Sequence, residues 1–156
     1  MKTMKEAFSH LLKDVYYAEN ALIKALPKAS AAATNKHLKA AFDAHLIETK
    51  GQIKTLESVF ASIGEKPEGE KCDAIEGLIK EADGIMKEAE GVALDASLLA
   101  VAQAIEHYEI ARYGTLREWA KILGYDEAHA MLSMILDQEK AANSKLTAIA
   151  VDGVNH

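Results

Sequence analysis

Only one cysteine and two prolines occur in the 156 residues, and aromatic side chains make up 6%. No stretch reaches the roughly 18 uninterrupted apolar residues of a membrane-spanning helix. Each scarcity excludes something. The lone Cys72 forms no disulfide within the chain and cannot build a rubredoxin-like thiolate iron centre; it is expected to be chemically inert. No alternating β-branched run is long enough for a strand, so a sheet is not expected. Lys and Arg are outnumbered 18 to 24 by Asp and Glu and are scattered, giving a net charge of −6. Without a basic tail or stripe, no nucleic-acid partner is expected. The opening residues Met1 to Glu6 lack the apolar core of a secretory leader, so neither a membrane partner nor export is expected, and the location is read as cytoplasmic.

Ala, Leu, Glu and Lys are abundant instead, in a chain that is 49% hydrophobic and 27% charged. These are strong helix formers, and the length suits a single domain with a sizeable core. Apolar residues recur at three-or-four spacing over five segments, predicting helices at about 4–26, 36–63, 74–90, 94–123 and 126–151. Pro27, just past the expected end of the first helix, fits either a kink or the start of a looser last turn. Gly64 through Lys71, with Pro67, reads as the clearest loop, and Gly124 as a helix terminator. Asp73 followed by Glu76 resembles an N-cap with its capping-box acid. The fold class is therefore all-α: four long helices and one long crossover carrying an additional short helix.

Acids interrupt the apolar stripes of all four long helices. Glu19 lies between Val15 and Leu22. His45, Glu48 and Gln52 fill the middle of the second stripe, Glu106 and Glu109 the fourth helix, and Glu139 the last. In an antiparallel pair, two residues lie side by side when equally far from the turn. The midpoint of Glu19 and Glu48 falls within Ala33-Thr34-Asn35, and that of Glu106 and Glu139 beside Leu123-Gly124-Tyr125. Both hairpins thus place their acids about 20–25 Å from the turn, at about 1.5 Å per residue.

Five acids at one level of a core would repel one another and lose hydration, whereas divalent cations would satisfy them. Glu19, Glu48, Glu106, Glu109 and Glu139 are therefore candidate metal ligands. His45 shares a face with Glu48 and is either a nitrogen ligand or a partner to an acid. Tyr16 and Tyr113 flank the acids and are expected to pack in the core with satisfied hydroxyls. His107 falls off the main stripe, where close helix packing or a subunit contact is expected.

The segments His-Leu-Leu-Lys-Asp-Val-Tyr-Tyr-Ala-Glu (10–19), Ala-His-Leu-Ile-Glu-Thr (44–49), Cys-Asp-Ala-Ile-Glu-Gly-Leu-Ile (72–79), Glu-His-Tyr-Glu-Ile-Ala-Arg-Tyr-Gly (106–114) and Glu-Lys-Ala-Ala-Asn-Ser-Lys-Leu-Thr (139–147) together resemble the YciE/YciF family of bacterial ferritin-like proteins. The resemblance covers nearly the whole chain. It implies a ferritin-like bundle related in architecture to rubrerythrins and manganese catalases, a role in bacterial stress responses, and a homodimer. The di-iron pattern carries over onto Glu19, Glu48, Glu106 and Glu139, with Glu109 one turn beyond Glu106. It departs at Gly51 and Ala142, where ferritin and rubrerythrin patterns place histidine, which leaves His45 as the candidate substitute. Some members carry Glu and His where this chain has Ile47 and Lys50.

The expected function is thus a dinuclear centre of two divalent ions, iron first and manganese second, acting on peroxide or dioxygen as an oxidase or peroxidase. The alternatives are a non-enzymatic bundle with a structural or vestigial site, and an iron-storage protein, which would need a closed shell of many subunits.

Overall fold

A computed structural model describes all 156 residues. The helices are α1 (Met4–Ala32), α2 (Lys36–Ser62), α3 (Asp73–Glu88), α4 (Gly91–Ile122) and α5 (Asp126–Ile149), followed by a π-helical turn at Ala150–Val154. No strand is present. The α1–α2 and α4–α5 hairpins form a four-helix bundle in which α2 packs on α5 and α1 on α4, while α3 lies outside against α1 and α4.

Local chemistry accounts for most boundaries. Thr3 and Glu6 form a capping box at the start of α1, and the Asn35 side chain accepts from the His37 and Leu38 amides at the start of α2. Gly124, at φ +72°, turns the chain between α4 and α5 in the left-handed conformation that glycine adopts freely. At the start of α3 the cap is Cys72, not Asp73: its Sγ accepts from the Ile75 amide at 3.4 Å. Asp73 is instead the first helical residue, where an acid suits the positive end of the helix dipole.

Pro27 does not end α1, which runs six residues past the expected Leu26 to Ala32. Proline sacrifices one intrahelical bond there, but its ring faces solvent and the last turns have tertiary partners. Leu26, Ala29 and Ala32 pack on the lower core, and Ser30 donates to Asp43 at 2.5 Å.

The crossover leaves α2 at Gly64 and runs along α1, where Ser9 donates to Glu65 at 2.6 Å, the Glu70 amide donates to the Lys13 carbonyl at 3.2 Å, and Lys13 pairs with Glu68 at 2.9 Å. This path, followed by α3, returns the chain so that α4 can begin beside the α1–α2 turn.

The apolar core is divided. An upper cluster gathers Phe8, Leu12, Val15, Leu56, Val59, Tyr113, Leu116, Leu132 and Ile135. A lower cluster holds Leu38, Phe42, Leu94, Leu98, Leu99 and Leu146. Burial of each such side chain stabilises the fold by about 1.5–3 kcal/mol. Between the two clusters, all four long helices present polar side chains.

Asp95 joins the hairpins. Buried in α4, its carboxylate accepts from the Thr34 amide at 2.7 Å, the Asn35 amide at 2.8 Å and the Thr34 hydroxyl. Replacing Asp95 by alanine leaves two amides of the α1–α2 turn without their acceptor. We expect the loss to cost about 2–4 kcal/mol in urea denaturation. Asp95→Asn, which keeps one carbonyl acceptor, is expected to cost less; equal losses for the two variants would show that the clamp is not acting through hydrogen bonds.

Candidate metal centre

The polar level is built from one or two residues per helix. Glu19 continues the inward stripe of α1 between Val15 and Leu22, Glu106 and Glu109 lie one turn apart on α4, and Glu139 follows Ile135 and Leu136 on α5. All four carboxyls are at most 2% exposed. From α2 comes His45, whose Nδ1 lies 2.8 Å from Glu106 Oε1 and whose Nε2 lies 4.0 Å from Glu109 Oε2. Ligand atoms of His45, Glu106, Glu109 and Glu139 all fall within 4.8 Å of one another.

Glu19 adjoins this group and receives a 2.5 Å hydrogen bond from the buried Tyr113 hydroxyl. Glu48 is different. It is half-buried at the flank, close enough for its charge to raise the pKa of Glu106, but it is not one of the four converging groups. The inward positions of α2 at this level are His45, Thr49 and Gln52, so the buried acids number four where the sequence pattern predicted five.

No hydroxyl, amide or imidazole satisfies most of these acids. Glu19 Oε2, Glu106 Oε2 and both oxygens of Glu109 and of Glu139 are buried with only one another's carboxyls as partners. Carboxyl oxygens of Glu106, Glu109 and Glu139 converging in a buried site with an imidazole are a set that a hard or borderline divalent cation would satisfy. His45 Nε2 is then available as a nitrogen donor.

Burial shifts all four acids toward the neutral form, and neighbouring carboxylates add to the shift. Glu106, raised mainly by burial and further by the charges of Glu19 and Glu48, reaches about 7. Glu19 and Glu139 reach about 8, each through burial first and then a neighbour: Glu139 for Glu19, Glu106 for Glu139. Glu109 is raised well above 4.5 by burial and by Glu19, Glu139 and Glu106. Burial and the adjacent Glu19 also push the Tyr113 phenol up, which keeps it a hydrogen-bond donor.

Several features were not apparent from the sequence pattern. The Thr49 hydroxyl is buried with no partner, and Gln52 donates to Gln138 at 3.2 Å. Thr49 follows His45 by four and precedes Gln52 by three, the spacing that could have revealed it. A second polar group lies between α1, α3 and α4, where Tyr108 donates to Asp14 at 2.7 Å and its oxygen is 3.1 Å from Cys72 Sγ. Burial pushes the Cys72 thiol up, away from the reactive thiolate. Tyr16 donates to Glu57 at 3.1 Å and stacks edge-on against Phe60. His107 is exposed, with Nδ1 2.7 Å from the Gln103 carbonyl of its own helix, and no other helix of the chain covers it. Gly51 and Ala142 leave His45 as the one histidine at the polar level.

The family model described as a domain of unknown function, DUF892, matches residues 3–156. Protein YciF of Escherichia coli (strain K12) is 46% identical over 99% of this chain and 95% of its own length. The crystal structure of that E. coli stress protein superposes with a TM-score of 0.95 over 99% of each chain. YcfI of Rhodopseudomonas palustris, assigned provisionally as a structural protein, is 50% identical and superposes with a TM-score of 0.92 over 96% of each chain. A protein of Xanthomonas campestris pv. campestris, 18% identical, shares the fold with a TM-score of 0.78 over 96% of this chain and 93% of its own.

The raised carboxyls couple stability to pH. Native metal-free protein binds more protons than the unfolded chain between the ordinary 4.5 and about 8, so its stability is fully present below that window and is lost as pH rises through it. The melting temperature of metal-free protein is expected to fall between about pH 5 and about pH 8. Glu139→Leu should raise it at the upper end, by about 2–4 °C for each kcal/mol of repulsion removed. Thermal melts across this range test both; a lower melting temperature for the leucine variant would contradict the buried-cluster account.

Proposed function

Because the chain belongs to the DUF892 family, whose members include a stress protein, we propose that it is a ferritin-like carboxylate protein holding two divalent ions, iron first and manganese second. It reacts there with a small oxidant, peroxide or dioxygen, in a bacterial stress response. The single observation that carries this reading is the convergence of the buried carboxyls of Glu106, Glu109 and Glu139 with the imidazole of His45, ligand atoms within 4.8 Å of one another.

Glu106, Glu109, Glu139 and His45 are the residues that would hold the ions, with Glu19 beside them and Glu48 at the open flank. When bound, the metals supply reversible one-electron chemistry and Lewis acidity toward an oxidant oxygen. The chain's own contributions follow from the geometry. Tyr113 holds Glu19 in one orientation through its hydroxyl, and the upper and lower apolar clusters exclude water from both ends of the polar level. Carboxyls with raised pKa values release protons as cations enter, so loading strengthens with pH. By the same family reading the protein is a cytoplasmic homodimer.

A second reading, a non-enzymatic bundle with one structural ion, is favoured by a specific observation: the polar level offers a single imidazole, with Gly51 and Ala142 where further nitrogen ligands would stand. Metal stoichiometry and redox turnover separate the two readings.

Anaerobic calorimetry with ferrous ion should give one or two equivalents per chain, and Glu106→Ala or Glu139→Ala should weaken binding by about a hundredfold. Unchanged stoichiometry and affinity in both variants would sink the site. Saturating metal should stabilise the fold by roughly 3–4 kcal/mol at free concentrations hundreds of times the dissociation constant.

Stopped-flow mixing of ferrous protein should show faster oxidation by peroxide than by dioxygen, and the reverse order would remove the peroxidase assignment. Native sizing is expected to give a dimer; a closed shell of many subunits would point to storage.

A further inference from the structure

A cavity of about 130 Å³ lies between the polar level and the lower apolar cluster. All five helices line it, and sixteen of its twenty-one lining residues are hydrophobic. Its space comes from small side chains: Ala25, Ala29, Ala41, Ala82, Ala102 and Ala142 stand where leucines would fill the bundle. Larger walls come from Leu22, Phe42 and Ile105. The five remaining residues are polar: His45, Glu48 and Glu106 at the polar level, and the half-exposed Asp83 and exposed Lys145 at the mouth.

The space opens partly to solvent past Ala44, Asp83 and Lys145, and its apolar walls hold water poorly. A space of about 150 Å³ with aliphatic and aromatic walls accepts a molecule the size of benzene. This cavity is therefore matched to a hydrocarbon of about six non-hydrogen atoms. The head group is constrained by the polar end. Placed beside His45, an anionic head would face the carboxyls of Glu48 and Glu106, while the one lysine of the lining, Lys145, stands exposed at the mouth; a cationic head would compete with metal for the same carboxylates. A neutral oxygen is compatible with both.

We propose that this cavity binds a small uncharged amphiphile, an alcohol or aldehyde with a short hydrocarbon tail, placing its oxygen beside His45, Glu48 and Glu106. The site so defined is an organic substrate's seat next to the candidate metal centre. It rests on the proposed metal function for what happens at the oxygen, while the seat for the tail needs no metal.

Titrating metal-free protein with 1-hexanol, followed by methyl NMR, tests it. Saturable shifts are expected at Leu22, Leu98 and Ile105, and hexanoate should bind at least about tenfold more weakly. Ala102→Phe should abolish the shifts by filling the space. Ala142→Leu, a smaller filler that keeps the test usable if the phenylalanine variant does not fold, should weaken binding by about tenfold. No saturable shift in the wild type, undiminished binding in the filled variants, or equal affinity for hexanoate would overturn the proposal. Hexanol binding without ferrous binding would remove the metal reading and support this seat; ferrous binding without hexanol binding would remove the seat alone.

Discussion

Four carboxyl groups held out of water at one level of an apolar bundle are the constraint on which the rest of this structure depends. An isolated buried carboxylate costs several kcal/mol, and four together add mutual repulsion. The fold accommodates them by keeping protons on them, as the raised values of Glu19, Glu106 and Glu139 indicate, and by closing apolar clusters above and below. Stability is supplied at the two ends and used at the middle. A sequence selected only for stability would place leucines there, so the acids point to a purpose other than folding.

Much of this was legible in the sequence because helix periodicity and hairpin symmetry are local or nearly local properties. The five helices, the crossover with its short helix, and the shared level of Glu19, Glu106 and Glu139 all follow from three-or-four spacing and distance from the turns. The illegible parts depend on contacts between residues far apart in the chain. The end of α1 reads as falling near Leu26 until the lower cluster is seen to support the turns beyond Pro27. Glu48 reads as inward until the phase of α2 is fixed by Leu38, Phe42, Leu56 and Val59, which turns Thr49 inward and Glu48 to the flank. Asp73 reads as the cap of α3 until Cys72, held beside Tyr108, is seen to take that place.

A chain 18% identical keeps the bundle, as expected for a fold specified by apolar pattern and turn placement rather than by particular side chains. The fold alone therefore says little about chemistry. In this chain the polar level and the apolar cavity meet at His45 and Glu106, so that two environments with opposite preferences share a wall.

The Asp95 clamp also acts as a length gauge. It fixes the start of α4 against the turn between α1 and α2, and Glu106 stands eleven residues further along the same helix, about 16 Å away. A slip of α4 by one helical turn would carry Glu106 and Glu109 along the bundle axis by about 5.4 Å. That exceeds the 4.8 Å within which the ligand atoms of the cluster converge. Axial alignment of the two hairpins is thus set by a carboxylate at the bottom of the bundle, so a remote change at the clamp could disperse the cluster while every one of its residues is intact.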